Sequence, residues 1–175
     1  MSSYIVTRRI AIDAGHRIAS HGSKCRNLHG HRYDIEAECR TVTGLHETGE
    51  QSGMAVDFGF LKQAMMAIID GSCDHGLIVD IHDRELIDML APETGGDIWR
   101  HRLAADVADQ GWAERHDGKL ATKLYVLDQA PTAEALAQHW FDRLAPWVQE
   151  LSLGKATLSA ITVHETPNCT ACYRP

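Results

Sequence analysis

The order of patterned segments along the chain predicts an α+β fold, with helices packed on one face of an antiparallel sheet. Three observations carry it. Segments of alternating apolar and polar residues open the chain at 4–14 and 32–41, apolar residues recur at helical spacing over 57–70 and 132–151, and alternation returns at 157–165. The 175 residues suffice for one domain with its own core and are short for two.

In the first strand Ile10, Ile12 and Ala14 share a face, and His16 keeps that parity if the strand runs on. Residues 21–28 form the connection of a long hairpin. In the second strand Tyr33, Ile35, Ala37 and Cys39 face one way and Asp34, Glu36, Glu38 and Arg40 the other. The helix over 57–70 has Asp57 as its cap and Phe58, Leu61, Met65, Ile68 and Ile69 on one stripe. From 80 to 123 the pattern is weakest: 83–90 reads as a helix, 92–96 as a break, 97–116 as another helix and 123–128 as a strand. Thr132 caps the helix over 132–151, whose stripe holds Leu136, Trp140, Leu144, Trp147 and Leu151 and which Pro146 should kink or interrupt. A strand at 157–165 and a short one at 171–174 close the chain.

Composition excludes several classes. Apolar residues make up 44% and charged ones 23%, and no apolar run approaches the roughly 18 residues of a membrane span. Met1-Ser2-Ser3-Tyr4 lacks the basic-then-apolar start of a secretory signal, so a cytoplasmic protein is expected. With 24 acidic and 17 basic side chains interspersed, the net charge of −7 includes no basic stripe for a nucleic-acid backbone, while an anionic small molecule stays compatible. Five cysteines, an odd number, argue against a disulfide framework. Cys39 reads as a buried hydrophobe, and the Cys169/Cys172 pair lacks the second CxxC of a zinc site and the helix start of a redox site.

The chemistry concentrates in Cys25-Arg-Asn-Leu-His29-Gly30-His31. Residues two apart in a strand project to one face, so His29 and His31 can reach one metal ion, and His16 on the neighbouring strand has the matching parity. Three imidazoles with an open fourth position describe a catalytic zinc site; the alternative is a chance grouping among eleven histidines. Cys25, close to such a cation, is either a fourth ligand or a proton carrier. Asp74 and His75 are either an acid/base pair or a solvated turn. Glu165 ends an apolar strand face and needs a partner, either a buried arginine or a ligand with an amidine edge.

These pieces together resemble the 6-pyruvoyltetrahydropterin and 6-carboxytetrahydropterin synthase family. The matching stretches, in the family's order, are Ala14-Gly-His16, Lys24-Cys25-Arg-Asn-Leu-His29-Gly-His31, Gly53-Met-Ala-Val-Asp57-Phe58, Leu61-Lys62, Asp74-His75, Pro131-Thr132-Ala-Glu134 and Glu165-Thr166. The resemblance implies the tunnelling fold (T-fold), whose subunits pair sheets into a barrel and stack as a hexamer with sites at subunit interfaces. It implies zinc on His16, His29 and His31, Cys25 as the proton-transferring thiol, and Asp74 with His75 as a second acid/base pair. Glu165 would grip the pterin's amidine edge, with Thr132 and Glu134 shaping that pocket, and the substrate would be 7,8-dihydroneopterin triphosphate.

The three residues between Cys25 and His29, and the ending Cys172-Tyr173-Arg174, look like the bacterial carboxy-forming members of the queuosine pathway. Those are carbon–carbon lyases that release acetaldehyde and triphosphate. The alternatives are the pyruvoyl-forming synthase, which eliminates triphosphate, and a non-catalytic zinc- or pterin-binding protein. The chain departs from the family pattern at Cys73, where Leu is common, and at Gly76, where Asn or His is common. The domain spans 1–175 with an insertion at about 80–123, and the triphosphate-site candidates are Lys24 and Arg26.

Overall fold

The computed structural model describes residues 3–42 and 44–175; Met1 and Ser2, on which the reading of the chain start partly rests, lie outside the described residues, as does Thr43. Strands β1 (Ile5–His16) and β2 (His29–Thr41) pair antiparallel along their whole length, from Ile5 opposite Arg40 to His16 opposite His29. Both run further toward the hairpin tip than the alternation alone marks, and a single 3₁₀ turn (Lys24–Arg26) folds the connection. Helix α1 (Gly59–Met65) starts where Asp57 Oδ1 accepts the Gly59 N–H at 2.5 Å, and continues through a π-helical stretch (Met66–Asp70) and a last turn (Gly71–Cys73).

Strand β3 (Gly76–Asp80) then leads into α2 (Arg84–Leu90), α3 (Gly96–Gln110), β4 (Trp112–Arg115), β5 (Leu124–Leu127), α4 (Ala133–Leu151), β6 (Ala156–Thr166) and β7 (Cys169–Tyr173). All seven strands form one sheet in the order β4-β5-β3-β1-β2-β6-β7. The α+β class holds, and the sheet is mixed: β3 runs parallel to β1 and to β5, and the other pairs are antiparallel. Parallel neighbours require helical crossovers, which α1 and then α2 with α3 provide.

Sequence alternation does not reveal β3, because both of its faces are covered. Ile78 packs with Ile12, Tyr33, Leu61 and Trp140 in the main core. Val79, its neighbour, packs with Leu86, Leu103, Val107 and Val126 in a second cluster on the opposite side. A strand covered on both sides reads as an unbroken apolar run. Helices α1 and α4 therefore line one face of the sheet, while α2 and α3 cover the other face at its β3–β5–β4 end. Over β1, β2 and β6 that other face carries cross-strand ion pairs, Arg9 with Glu36 and Asp13 with Arg32, and the Glu38–Arg174 pair.

Two further expectations are corrected. The helix read over 97–116 stops at Gln110, because Gly111 takes a left-handed conformation (φ 82°) and returns its N–H to the Val107 carbonyl; β4 follows. On α4 the Thr132 cap is present, its Oγ1 accepting the Ala135 N–H at 3.2 Å, but Trp147 is exposed and Phe141 and Val148 are buried in its place. Pro146 sits beside Trp147 on the outer side and the helix runs through it uninterrupted. The carbonyl it leaves unpaired belongs to exposed Asp142 and is open to water.

Candidate metal centre and active-site cavity

The hairpin register sets the site. His16 lies opposite His29 and Ala14 opposite His31, so all three imidazoles emerge on the core face at the β1–β2 end. Their ring centroids are 4.6, 5.2 and 4.9 Å apart, and one nitrogen from each lies within 4.8 Å of the others. Two nitrogens on one tetrahedral zinc are about 3.4 Å apart, from Zn–N bonds of about 2.0–2.1 Å, so closure on an ion requires only small ring movements.

For His16 and His29 the surroundings fix which nitrogen the ring offers. His16 Nδ1 is 2.9 Å from the Pro131 carbonyl and His29 Nδ1 is 2.7 Å from the Asn27 carbonyl. A carbonyl only accepts, so both Nδ1 atoms carry the proton and both Nε2 lone pairs are available. A backbone carbonyl holding the outer nitrogen is the usual support of a metal-bound imidazole. His16 Nε2 is buried with no hydrogen-bond partner, a cost that a metal ion would remove. Burial lowers the pKa of both His16 and His31, which favours the neutral ligating form. The donor set and the orphaned nitrogen fit a metal ion.

Of the triad, His16 lines a cavity of about 420 Å³ whose wall also includes Cys25, Thr132, Glu134 and Glu165. Cys25 reaches it from the 3₁₀ turn, where the Ile18 N–H donates to its carbonyl at 2.9 Å. Glu165 sits at a register shift between β6 and β7, where the chain gains one residue between His164 and Thr166. Such bulges redirect side chains. Its Oε1 lies 3.7 Å from His16 Nε2 and 3.9 Å from His31 Nε2, over the open side of the triad.

The reading of the residues missed part of this wall. His21, Asn168 and Cys169 also line it. The Pro-Asn turn after Thr166 is the signal that could have found the last two, since a turn there folds β7 back beside Glu165. Both cysteines of the CxxC follow that turn in β7: three apart in a strand, Cys169 and Cys172 face opposite ways and do not form a chelating pair.

Asp74 and His75 do not line this cavity. Asp74 Oδ1 accepts the Asp13 N–H at 2.8 Å, its Oδ2 is 2.7 Å from His75 Nδ1, and the His75 N–H donates to the Asp13 carbonyl at 2.8 Å. The pair is thus pinned three residues from His16 along β1, beside a residue of opposite parity. The Asp13 amide foremost, with the imidazole, holds the Asp74 carboxyl below the usual range, and the His75 backbone is left-handed (φ 56°) with the ring in the open.

Comparisons with known proteins agree on one family. A sequence model described as 6-pyruvoyl tetrahydropterin synthase matches residues 5–175. A protein of Rickettsia bellii named 6-carboxy-5,6,7,8-tetrahydropterin synthase is 34% identical over 163 residues, covering 93% of this chain and 94% of its own. One of the same name from Aquifex aeolicus is 28% identical over 97% of this chain and 96% of its own. Among solved structures, an uncharacterized protein of Wolinella succinogenes aligns with a TM-score of 0.70 at 21% identity over 99% of both chains. The 6-pyruvoyl tetrahydropterin synthase of Caenorhabditis elegans aligns at 0.56 and 20%, over 100% of this chain and 97% of its own. Those two share the fold.

Proposed function

The chain belongs to the 6-pyruvoyl tetrahydropterin synthase family, and we propose that it is a zinc-dependent 6-carboxy-5,6,7,8-tetrahydropterin synthase. Its substrate would be 7,8-dihydroneopterin triphosphate and its products would include acetaldehyde and triphosphate, in the making of 7-deazaguanines such as queuosine. The observation that carries this reading is the convergence of three imidazoles, one of which, His16, lines a cavity that also presents the Cys25 thiol and the Glu165 carboxylate. The names of the curated relatives favour the carboxy-forming reaction over the pyruvoyl-forming one.

His16, His29 and His31 would hold the zinc ion, which would supply Lewis acidity toward a side-chain hydroxyl of the substrate. Cys25 takes up and returns a proton at Sγ from within the cavity. Asp74 holds the His75 Nδ1–H and leaves Nε2 free to exchange a second proton. Glu165 offers two carboxylate oxygens to the parallel N–H donors of a pterin's amidine edge, beside Thr132 and Glu134. Because Asp74 and His75 stand outside their own chain's cavity, we assign that pair to a neighbour's site in a cytoplasmic homohexamer. We read the whole chain as one synthase domain, with an insertion at about 80–123.

The test is to incubate zinc-loaded protein with dihydroneopterin triphosphate and identify the products. Acetaldehyde with a carboxypterin is the expected result. A pyruvoyl pterin would assign the chain to the other reaction, and unchanged substrate would leave only a binding protein.

A further inference from the structure

The active-site cavity has a wall ill suited to one end of its proposed substrate. It holds two carboxylates, Glu134 and Glu165, and no lysine or arginine, whereas a triphosphate is the most anionic part of the molecule. The same stretch of chain, 16–27, has a second side. His16 and Cys25 line the first cavity, while the residues directly after them, Arg17 and Arg26, line a separate cavity of about 530 Å³ together with Asn27, His82, Arg84 and the carboxylates of Asp83 and Glu85. Cys25 and Arg26 are one peptide apart, about 3.8 Å between Cα atoms. Asn27 belongs to both environments, since its carbonyl holds the His29 ring.

The charges in this second cavity are unevenly satisfied. Arg17 is fixed there by Asp83, both nitrogens of its fork at 2.5 Å from the carboxylate, with Glu85 at 3.2 Å from Nη2. Asp83 is buried and spent on that pair. His82 is tied to Asp128 at 3.2 Å. Arg26 and Arg84 make no ion pair or side-chain hydrogen bond among the described residues, in a protein with 24 carboxylates. Two uncompensated guanidiniums facing one cavity offer the planar forks that match phosphate oxygens.

We propose that this cavity is a polyphosphate subsite, with Arg26 and Arg84 as its anion-binding groups and Arg17, clamped by Asp83, as its fixed wall. This rests on the proposed substrate, and it extends that reading in one respect. Arg84 and His82 come from the segment between β3 and β5, so the insertion would supply half of the phosphate grip.

Inorganic tripolyphosphate is the probe, titrated calorimetrically into the wild-type protein and into Arg26→Ala/Arg84→Ala. Because the probe also chelates zinc, the same pair is compared in a His29→Ala background. Removing one guanidinium–phosphate pair should weaken binding by about tenfold or more, so the double variant should bind about a hundredfold more weakly, in both backgrounds and less steeply at high salt. Arg26→Lys/Arg84→Lys should recover part of that affinity. Neopterin, which has no phosphate, should bind wild type and double variant alike. Tripolyphosphate binding unaltered by the substitutions, or absent from wild type, overturns the subsite, and so does an equal fall in neopterin affinity. If tripolyphosphate binds through the two arginines while no pterin binds at all, the subsite stands and the synthase reading fails.

Discussion

The three histidines are held by different means, and that difference orders what their replacement does. His16 is buried and locked to Pro131, His29 hangs on the Asn27 carbonyl of the turn, and His31 faces Glu165. We expect metal content to collapse in His29→Ala and to persist in Cys169→Ser/Cys172→Ser, by elemental analysis of purified protein; the reverse pattern would move the metal to the cysteines. Cys25→Ala should keep the metal and lose about 10²–10⁴ in turnover, the usual cost of removing one proton-transfer group, while metal loss in this variant would make Cys25 a ligand. Glu165→Gln should retain metal and fold yet bind a pterin at least about tenfold more weakly, since one acceptor becomes a donor facing a donor. Unchanged pterin affinity would assign Glu165 to the imidazoles it approaches. The triad was legible because ligand spacing follows strand parity. The far wall, Asn168 and the start of β7, was not, since its place beside Glu165 depends on one extra residue in β6.

At the scale of elements, alternation and helical spacing exposed the parts covered on one side, such as β1, β2, β6, α1 and α4. They failed where both sides are covered, at β3, and where a glycine ends a helix without a change in polarity, at Gly111. Neither signal reveals that α2 is anchored across the fold. Asp83 caps it, accepting the Leu86 N–H at 3.3 Å, and also clamps Arg17 of the loop leaving β1. The Arg17 guanidinium holds the Asp83 carboxyl below its ordinary range. A depressed folded pKa gives stabilisation that is complete above the unfolded value, about 3.9, and lost as pH falls through the folded one. Asp83→Asn should therefore destabilise by about 2 kcal/mol at neutral pH, below the range for fully buried pairs because Arg17 is partly exposed. Urea titrations at pH 7 and pH 3 would check this; the gap between the two proteins should narrow in acid, and an equal gap at both would rule out the ionic origin.

For the whole molecule, a carboxylate–imidazole pair pinned to Asp13 lies outside the cavity that Cys25 lines. Sequence order brought Asp74 and His75 into the same motif set as Cys25, yet one chain's fold keeps them apart, and no spacing rule encodes a neighbour's approach. If sites are shared between chains, two inactive variants should repair each other. Mixed oligomers of His29→Ala and His75→Ala would contain intact sites where a wild-type His29 meets a wild-type His75, about a quarter of them for random equal mixing. Recovery of activity on co-refolding, with none in either homomer, is the expected outcome. No recovery would place the complete site within one chain.

The antiparallel pairing of β1 and β2 has a further consequence, in time rather than in space. All three candidate metal ligands lie between positions 16 and 31 of a single hairpin, so they can meet once that loop has closed. The parallel strands β3 and β5 must wait for their helical crossovers, and closing longer loops is slower. An ion held by this triad would therefore bind before the fold is complete and help nucleate it. Zinc present from the start of refolding should quicken the main phase, while zinc added after collapse should change only the final stability.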